Sequence, residues 1–472
     1  MTPTAGPAKE GAPRVAVCSL GCSKNLVDTE NMMGMIRAAG MEIVSDEGEA
    51  DVVLVNTCGF IADAAQESVD SIIEYAHRRS RGEIRALVVT GCLVQRYGRA
   101  LTEEMPEVDA IVGTGEYGRC VEAIQGALRG EKLTIVGKAG YLASDGSPRV
   151  VSTPQHYAYI KIGEGCANRC AYCLIPSLRG PVRSRPLESI VREAQGLAAQ
   201  GVREAILVAQ DTTRYGQDIY GGPSLPALLR AVARVDGIEW IRVMYAYPSR
   251  IDEELISVFE EERKVVKYMD IPMQHGSDRV LTAMNRSSSR EQMMQTVREI
   301  RARIPRVVIR TSLIVGFPGE TEADVDDLLD FVDTVRPERA GVFEFSAEEG
   351  TPAFDMRDQV PSSIAKERRG RVMEALAAIS LGFGRSRVGT VVRVIVDGPS
   401  AESDLLVDAR SYAEAPEVDG TVFVGDATLR QGEFVDVRIT DARDYDAAAE
   451  VVSRPPAGNV EKSSGHQCRA HI

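Results

Sequence analysis

Long apolar runs are missing from this sequence. No stretch of about 18 apolar residues occurs, which argues against membrane-spanning helices. The first dozen residues, MTPTAGPAKEGA, also lack the apolar core of a secretory signal peptide. We therefore expect a soluble, cytoplasmic protein.

Cysteines are also few, and the chain has no net positive charge. Nine cysteines in 472 residues are too few and too unevenly placed for a secreted disulfide framework, and a reducing cytosol would keep them available as metal ligands. The formal net charge is −14. Nonspecific binding to nucleic acid depends on Lys and Arg that displace counterions, so this balance argues against a surface built to grip phosphate backbones. A basic protein partner suits the chain better.

The apolar pattern divides the chain into three segments and a tail. Within 14–126, and again within 154–377, short apolar runs alternate with amphipathic stretches, which is typical of βα units on a parallel sheet. Six such units in the second segment favour a partial (β/α)6 barrel over a closed eight-fold one. Short β runs within 385–452 predict a small β-barrel, and the polar remainder, 453–472, is predicted to be disordered. The expected fold class is α/β with a terminal β-barrel.

Three cysteines within eight residues, Cys166, Cys170 and Cys173, form the most informative feature. Three thiolates on one short loop can hold three corners of a cubane iron–sulfur cluster, whereas full ligation takes four cysteines. The fourth iron is then free for a substrate or cofactor. A closed zinc site is the alternative, with His156 as the nearest candidate for a fourth ligand.

A second trio, Cys22, Cys58 and Cys92, follows three predicted strands of the first segment. The separations of 36 and 34 residues correspond to about one βα unit each, so the cysteines should emerge at the same end of neighbouring strands. Open α/β sheets bind ligands at that end, and the spacing predicts a second open metal site. Buried cysteines that act as small core hydrophobes are the alternative. We favour that alternative for the remaining three, Cys18, Cys120 and Cys468.

Several local signals concern helix ends and charged side chains. Asp28 is predicted to cap a helix between the first two strands, and Thr321 with Asp324 predicts a capping box for a later helix. Three arginines follow the cysteine triplet and either pair with carboxylates of a cofactor or substrate or lie in a solvated loop: Arg179, Arg183 and Arg185.

The triplet, with Tyr172 directly before its last cysteine, resembles the signature of the radical S-adenosylmethionine (SAM) enzymes. The resemblance implies that the methionine part of SAM chelates the open iron, that Tyr172 lies beside the adenine, and that reductive cleavage yields a 5'-deoxyadenosyl radical. It also implies that the turn at Gly316, Pro318 and Gly319 helps to hold the adenosyl group. A plain strand-to-helix turn that needs glycine for its dihedral angles is the alternative for that turn.

Over nearly its whole length the chain resembles the radical SAM methylthiotransferases. The resemblance implies two [4Fe-4S] clusters, the second of them held by Cys22, Cys58 and Cys92, and a terminal TRAM-like barrel that captures the substrate. It further implies methyl transfer to sulfur and radical insertion of that sulfur into an unactivated C–H bond. An electron donor such as flavodoxin or ferredoxin is then required.

Within that family the chain resembles the RimO type, which modifies an aspartate of the small-subunit ribosomal protein S-twelve. The stretches that carry the resemblance are Ser19-Leu-Gly-Cys22-Ser-Lys-Asn25, Ala209-Gln-Asp-Thr-Thr213, Gln274-His-Gly-Ser277 and Ala415-Pro-Glu-Val-Asp-Gly420. The terminal segment has 14 acidic residues against seven arginines and no lysine between positions 385 and 453. An acidic surface should repel tRNA and attract a basic ribosomal protein. A tRNA adenosine methylthiotransferase and a zinc-stabilised RNA-binding protein remain the alternatives, and no membrane partner is expected.

Overall fold

The computed structural model describes residues 11–453, which form two compact units. One unit contains residues 11–152 together with Leu178–Gly180, and the other contains the rest. The tail predicted to be disordered, 453–472, lies outside the described residues apart from Ser453, and so does Cys468. None of the helices within 11–453 combines the length and the apolar character needed to cross a membrane.

The first unit is built on one sheet of six parallel strands. The strands are β1 (Arg14–Ser19), β2 (Glu42–Ile43), β3 (Val52–Thr57), β4 (Ala86–Gly91), β5 (Ala110–Gly113) and β6 (Leu133–Ile135). The helices are α1 (Ser23–Ala38), α2 (Ala62–Ser80), α3 (Cys92–Glu104) and α4 (Cys120–Leu128). The strand order is β2-β1-β3-β4-β5-β6, and every residue of β3 and β4 is buried, as in sheets that helices cover on both faces. The predicted parallel α/β domain is confirmed.

The predicted cap at Asp28 is wrong. Helix α1 begins at Ser23, directly after Cys22, so Asp28 lies inside the helix. Its carboxylate instead accepts a hydrogen bond from Arg179 Nη1 at 2.6 Å, and both side chains are buried. The partner is 151 residues away in the sequence, so no local signal could have revealed it.

The second unit contains a half-barrel of parallel strands. Its strands are β7 (Tyr157–Lys161), β8 (Gly163–Glu164), β9 (Arg183–Ser184), β10 (Glu204–Val208), β11 (Trp240–Val243), β12 (Val265–Asp270), β13 (Val308–Val315) and β14 (Arg339–Glu344). The helices that follow α4 are α5 (Ile175–Arg179), α6 (Leu187–Ala199), α7 (Gln217–Tyr220), α8 (Leu225–Ala233), α9 (Glu253–Glu261), α10 (Asp278–Ala283), α11 (Arg290–Arg303), α12 (Glu322–Val335) and α13 (Ser362–Arg387). The main sheet has the order β14-β13-β12-β11-β10-β7 and does not close, which confirms a partial (β/α)6 barrel. The predicted capping box of α12 is also confirmed, because Thr321 N and Oγ1 both donate to Asp324.

A five-stranded closed barrel completes the second unit. Its strands are β15 (Val391–Pro399), β16 (Val407–Ser411), β17 (Val422–Val424), β18 (Phe434–Ala442) and β19 (Ala447–Ser453). Strand β19 pairs with both β17 and β18 and closes the barrel. Strand β19 gives a weak signal in the sequence, because three alanines open it and alanine has low strand propensity.

The loop between β16 and β17 packs against the amino ends of the half-barrel strands. Glu414 lies 2.8 Å from Arg339 and 2.6 Å from Arg387, and all three side chains are buried. Asp419 accepts a hydrogen bond from Tyr268 at 2.6 Å. The stretch Ala415–Gly420, which resembles the RimO type, therefore contributes to an internal contact of the second unit.

A second internal contact joins the same two barrels. Arg410 of β16 lies 2.7 Å from Glu204 at the start of β10 and 2.8 Å from Asp397 of β15. His156 Nε2, just before β7, lies 2.7 Å from Asp397 as well. Buried ion pairs thus hold the closed barrel against the half-barrel.

We predict that the Glu414→Gln variant loses about 3–5 kcal/mol of unfolding free energy, because removing one partner of a buried ion pair leaves the other charges uncompensated. Here the uncompensated charges are Arg339 and Arg387. Urea unfolding of the metal-free chain measures the loss. The matched control is Glu450→Gln, where the carboxylate is exposed and lies 3.9 Å from Arg438, so a change below about 1 kcal/mol is expected. Equal losses in the two variants would contradict the assignment.

A pH dependence follows from the same carboxylate. Burial opposes ionisation of Glu414, but the guanidinium groups of Arg387 and Arg339 outweigh it and hold its pKa at about 2, below the ordinary 4.5. The stabilisation is therefore complete above about pH 5 and is lost as the pH falls towards 2. We expect wild-type protein to lose more stability than Glu414→Gln between about pH 5 and about pH 3. Parallel slopes of the two proteins in urea unfolding would refute this.

Candidate functional site

The cysteine triplet lies on the loop that follows β7 and β8, at the carboxyl end of the half-barrel. All three thiols are free; Cys166 and Cys170 are buried and Cys173 is partly exposed. Two of the sulfurs accept backbone hydrogen bonds, from Asn168 N to Cys166 Sγ at 3.4 Å and from Ile175 N to Cys173 Sγ at 3.5 Å. Donors of this kind stabilise the thiolates of iron–sulfur clusters and adjust their potentials.

A polar network holds the loop in place. Asn168, inside the triplet, donates from Nδ2 to Asp211 at 2.8 Å, and its Oδ1 accepts from Arg250 at 2.8 Å. Arg250 also pairs with Asp211 at 2.8 Å. Asp211 and Arg250 follow β10 and β11, so the ends of neighbouring strands position the cysteine loop.

Tyr172 belongs to an apolar cluster next to the triplet. Its ring packs with Ala171, Val280, Met284 and Phe317. Burial raises the pKa of the Tyr172 hydroxyl, so the phenol stays neutral. Apolar packing thus holds Tyr172 next to the cysteine loop.

The glycine-rich turn after β13 folds around a carboxylate. Gly316 and Gly319 have φ angles of +78° and +77°, and the Gly316 amide donates to both Glu320 carboxylate oxygens, at 2.9 and 3.0 Å. A Cβ on Gly316 would lie 2.5 Å from Ala365 Cβ. The turn thus needs its glycines on conformational grounds, and contact of Gly316, Pro318 and Gly319 with a cofactor stays a prediction.

The second trio meets at the carboxyl ends of β1, β3 and β4 in the first unit. Cys22 immediately precedes α1, Cys58 follows β3, and Cys92 is the first residue of α3. The glycines beside them allow a close approach: a Cβ on Gly21 would lie 2.9 Å from Cys58 Cβ, and one on Gly59 would lie 3.1 Å from the carbonyl carbon of Cys92. The structure therefore brings together the three cysteines that the spacing predicted.

One arginine contacts this second trio. Arg179 Nη2 lies 3.4 Å from Cys92 Sγ and 3.0 Å from Asn25 Oδ1, besides the ion pair with Asp28. Arg179 is therefore not part of a solvated loop. Burial raises the pKa of the Cys58 thiol to about 11, so this sulfur ionises only when a positive centre binds it.

The donor set of each trio, three thiolates, fits an open iron–sulfur cluster. A structural zinc site needs four ligands on one ion, and the candidate fourth ligand, His156, pairs with Asp397 instead. A cubane cluster spreads its thiolates over separate irons, which suits both trios.

Two side chains that support the triplet leave no signal in the sequence near it. Arg250 and Arg286 contact Asn168 and Cys170 from 82 and 116 residues away. Such distances leave no local signal. Cys120, by contrast, is buried in the apolar core of the first unit, and Cys18 is half-buried within β1, in line with the interpretation of both as core residues.

Three family descriptions match consecutive parts of the chain. "Uncharacterized protein family UPF0004" matches residues 14–113, "Radical SAM superfamily" matches 160–332, and "TRAM domain" matches 388–452. The first covers the cysteine trio of the parallel sheet, the second the triplet on the half-barrel, and the third the closed barrel.

Curated relatives cover almost the whole chain. The ribosomal protein uS12 methylthiotransferase RimO of Pelobacter propionicus is 47% identical over 93% of this chain and 98% of its own length. The enzyme of the same name from Geobacter sulfurreducens is 48% identical over 93% of this chain and 99% of its own length. This chain belongs to the RimO family.

Solved structures agree on the fold. The radical S-adenosylmethionine methyltransferase TsrM from Kitasatospora setae has a TM-score of 0.53 and 18% identity, with 70% of this chain and 73% of that chain covered. At this identity the likeness supports the arrangement of strands and helices alone.

We predict that Gly91→Ala disrupts the meeting point of the second trio. Gly91 has a φ of +104°, and an added Cβ would lie 2.4 Å from Thr57 O, so the backbone before Cys92 must shift. A loss of about 2–4 kcal/mol in urea unfolding of the metal-free chain is expected. Gly146→Ala is the control, because its added Cβ would meet only Ser144 Oγ, at 3.8 Å. Unchanged stability of Gly91→Ala would show that the strand ends do not meet as described.

Proposed function

We infer that the chain is a radical SAM methylthiotransferase that adds a methylthio group to the β-carbon of an aspartate in ribosomal protein uS12. The observation that carries this inference is identity of 47–48% to RimO enzymes over 93% of the chain. The two separate cysteine trios, each at the carboxyl ends of parallel strands, supply the metal ligands that this chemistry requires.

We propose that Cys166, Cys170 and Cys173 hold one [4Fe-4S] cluster and leave one iron for SAM. When bound, this cluster and SAM supply the 5'-deoxyadenosyl radical that removes a hydrogen atom from the target carbon. The backbone amides of Asn168 and Ile175 donate to two of the three sulfurs. Free energy for deprotonating the buried thiols then comes from metal binding.

Tyr172 and the turn at Gly316, Pro318 and Gly319 are proposed to bind SAM. Tyr172 contributes one wall of an apolar cluster that excludes water, and exclusion of water protects a reactive radical from side reactions. The turn would approach SAM with its backbone, since a larger residue than Gly316 does not fit against Ala365.

Cys22, Cys58 and Cys92 are proposed to hold the second [4Fe-4S] cluster, which presents the sulfur to be transferred. The buried Arg179 donates to Cys92 and keeps a positive charge beside these thiolates. No side chain has to act as a general base in the C–H step, because the hydrogen leaves as an atom.

The closed barrel supplies an acidic surface for a basic protein. Asp397, Glu414 and Asp419 are engaged inside the second unit and do not contribute to this surface. The acidic residues that remain exposed are Glu402, Asp404, Glu417, Asp441, Asp444 and Glu450. Exposed negative charge steers a basic partner such as uS12 and disfavours tRNA.

Two further assignments rest on this function. A radical SAM enzyme requires an electron donor, and we propose flavodoxin or ferredoxin for that role. Because the substrate is a ribosomal protein, we also propose that the enzyme works in the cytoplasm, where ribosomes are assembled.

The test is a mass measurement on a mixture of possible substrates. Reconstituted, reduced protein receives SAM, sulfide, purified uS12 and tRNA without oxygen. We expect uS12 to gain about 46 Da on an aspartate, the mass of CH3S replacing H. The same group on tRNA would keep the chemistry and overturn the substrate, and no product from protein with intact clusters would refute the proposal.

Cysteine variants distinguish the proposed roles of the two trios. Cys170→Ala should lose about four irons and all 5'-deoxyadenosine formation. Cys58→Ala should lose a similar amount of iron, still form 5'-deoxyadenosine, and transfer no methylthio group. Cys18→Ala, a cysteine outside both trios, serves as the control and should match wild type in iron and product. Loss of 5'-deoxyadenosine in both trio variants would contradict the division of roles.

A further inference from the structure

Arg286 is a cation without a carboxylate partner. It follows α10, and its Nη2 donates to Pro272 O at 2.6 Å while its Nη1 lies 3.8 Å from Cys170 Sγ. Its Nε is buried and has no hydrogen-bond partner. Within residues 11–453 no acidic side chain lies within ion-pair distance of this guanidinium. The polar contacts of Arg286 are thus with one neutral carbonyl oxygen and one cysteine of the triplet.

The buried arginines of the second unit pair with carboxylates, whereas Arg286, which is partly exposed, does not. Arg242 and Arg410 both pair with Glu204, and Arg368 pairs with Glu320. A charge removed from water needs a partner, and these arginines have one. Arg286 is partly exposed, so water screens part of its charge, but its guanidinium lies beside a cysteine sulfur of the triplet, which points to an anion bound there.

Stacking fixes the position of this cation. The Arg286 guanidinium carbon lies 4.1 Å from the centroid of the Tyr247 ring, and that of Arg250 lies 4.3 Å from the same centroid. Arg250 is neutralised by Asp211. An aromatic face holds a planar guanidinium in a defined orientation, so Arg286 stays beside Cys170 even though it has no ion pair there.

We propose that the positive charge of Arg286 balances the negative charge of the iron–sulfur cluster held by the triplet. This proposal depends on the proposed function, because the triplet must hold such a cluster. A four-iron core with three thiolate ligands carries net negative charge, and a cation beside a ligand sulfur stabilises it.

The contact between Arg286 and Cys170 also favours reduction of the cluster by the external electron donor. One electron enters the oxidised core from the external donor, no bond forms or breaks in that step, and the negative charge of core and thiolates grows by one. A nearby cation stabilises the more negative state, so the reduction potential is less negative with Arg286 than without it.

The test uses the full chain with Cys22, Cys58 and Cys92 changed to Ala, so that only the triplet binds iron. Redox titration followed by electron paramagnetic resonance gives the midpoint potential. We expect Arg286→Gln to shift it to more negative values and Arg286→Lys to restore most of the shift, since lysine keeps the charge. Arg290→Gln, which removes a surface arginine paired with Asp330, is the control and should leave the potential unchanged.

Unfolding with and without iron provides the second readout. In the metal-free chain, Arg286→Gln should lose only the stability that the hydrogen bond to Pro272 O and the stacking on Tyr247 provide. In the iron-loaded chain the same variant should lose more stability, because the contact with the cluster is lost as well. Equal destabilisation of both forms, or an unchanged potential at about four irons per chain, would overturn the role of Arg286. Failure of the parent chain to bind iron would instead count against the proposed function.

Discussion

Parallel strands that pair in register end side by side, and both cysteine trios depend on this constraint. In the first unit, Ser19 of β1 lies opposite Asn56 of β3, which lies opposite Thr90 of β4. The loops that carry the second trio therefore start from one edge of the sheet. The triplet and its supporting network occupy the equivalent edge of the half-barrel. A slip of one residue in either sheet would turn the supporting side chains to the opposite face.

Charge divides the half-barrel into two ends with different tasks. At the amino ends of the strands, buried carboxylates such as Glu204 and Glu414 are matched with arginines, and these pairs attach the closed barrel. At the carboxyl ends, Arg250 is paired with Asp211, and Arg286 stands beside Cys170 without a carboxylate. In barrels of this kind the carboxyl ends carry the chemistry and the amino ends carry stability. The ion pairs that attach the closed barrel lie at the amino ends in this chain, and the charged side chains beside the cysteine loop lie at the carboxyl ends.

Much of the fold could be predicted from the apolar pattern. The two βα segments and the six units of the second one were predicted correctly, because the alternation of apolar runs with amphipathic stretches is long enough to show a period. Strands β2 and β6 have two and three residues, too few for a period, and β19 is opened by alanines. The capping box at Thr321 was predictable since its partners are three residues apart. The predicted cap at Asp28 was wrong, because α1 begins earlier, at Ser23, and the distant Arg179 binds that carboxylate.

By itself, the sequence determined which residues are available to bind metal and at which strand ends they stand, because spacing along a βα chain translates directly into neighbouring positions on a sheet. It also determined the excess of acidic residues in the terminal barrel. Only the tertiary structure decided which charges neutralise one another. Arg250 reaches Asn168 across 82 residues and Arg410 reaches Glu204 across 206, and both contacts arise when the strand ends and the two barrels pack. Such pairs follow from burial, since a charge removed from water needs a partner wherever the fold brings one.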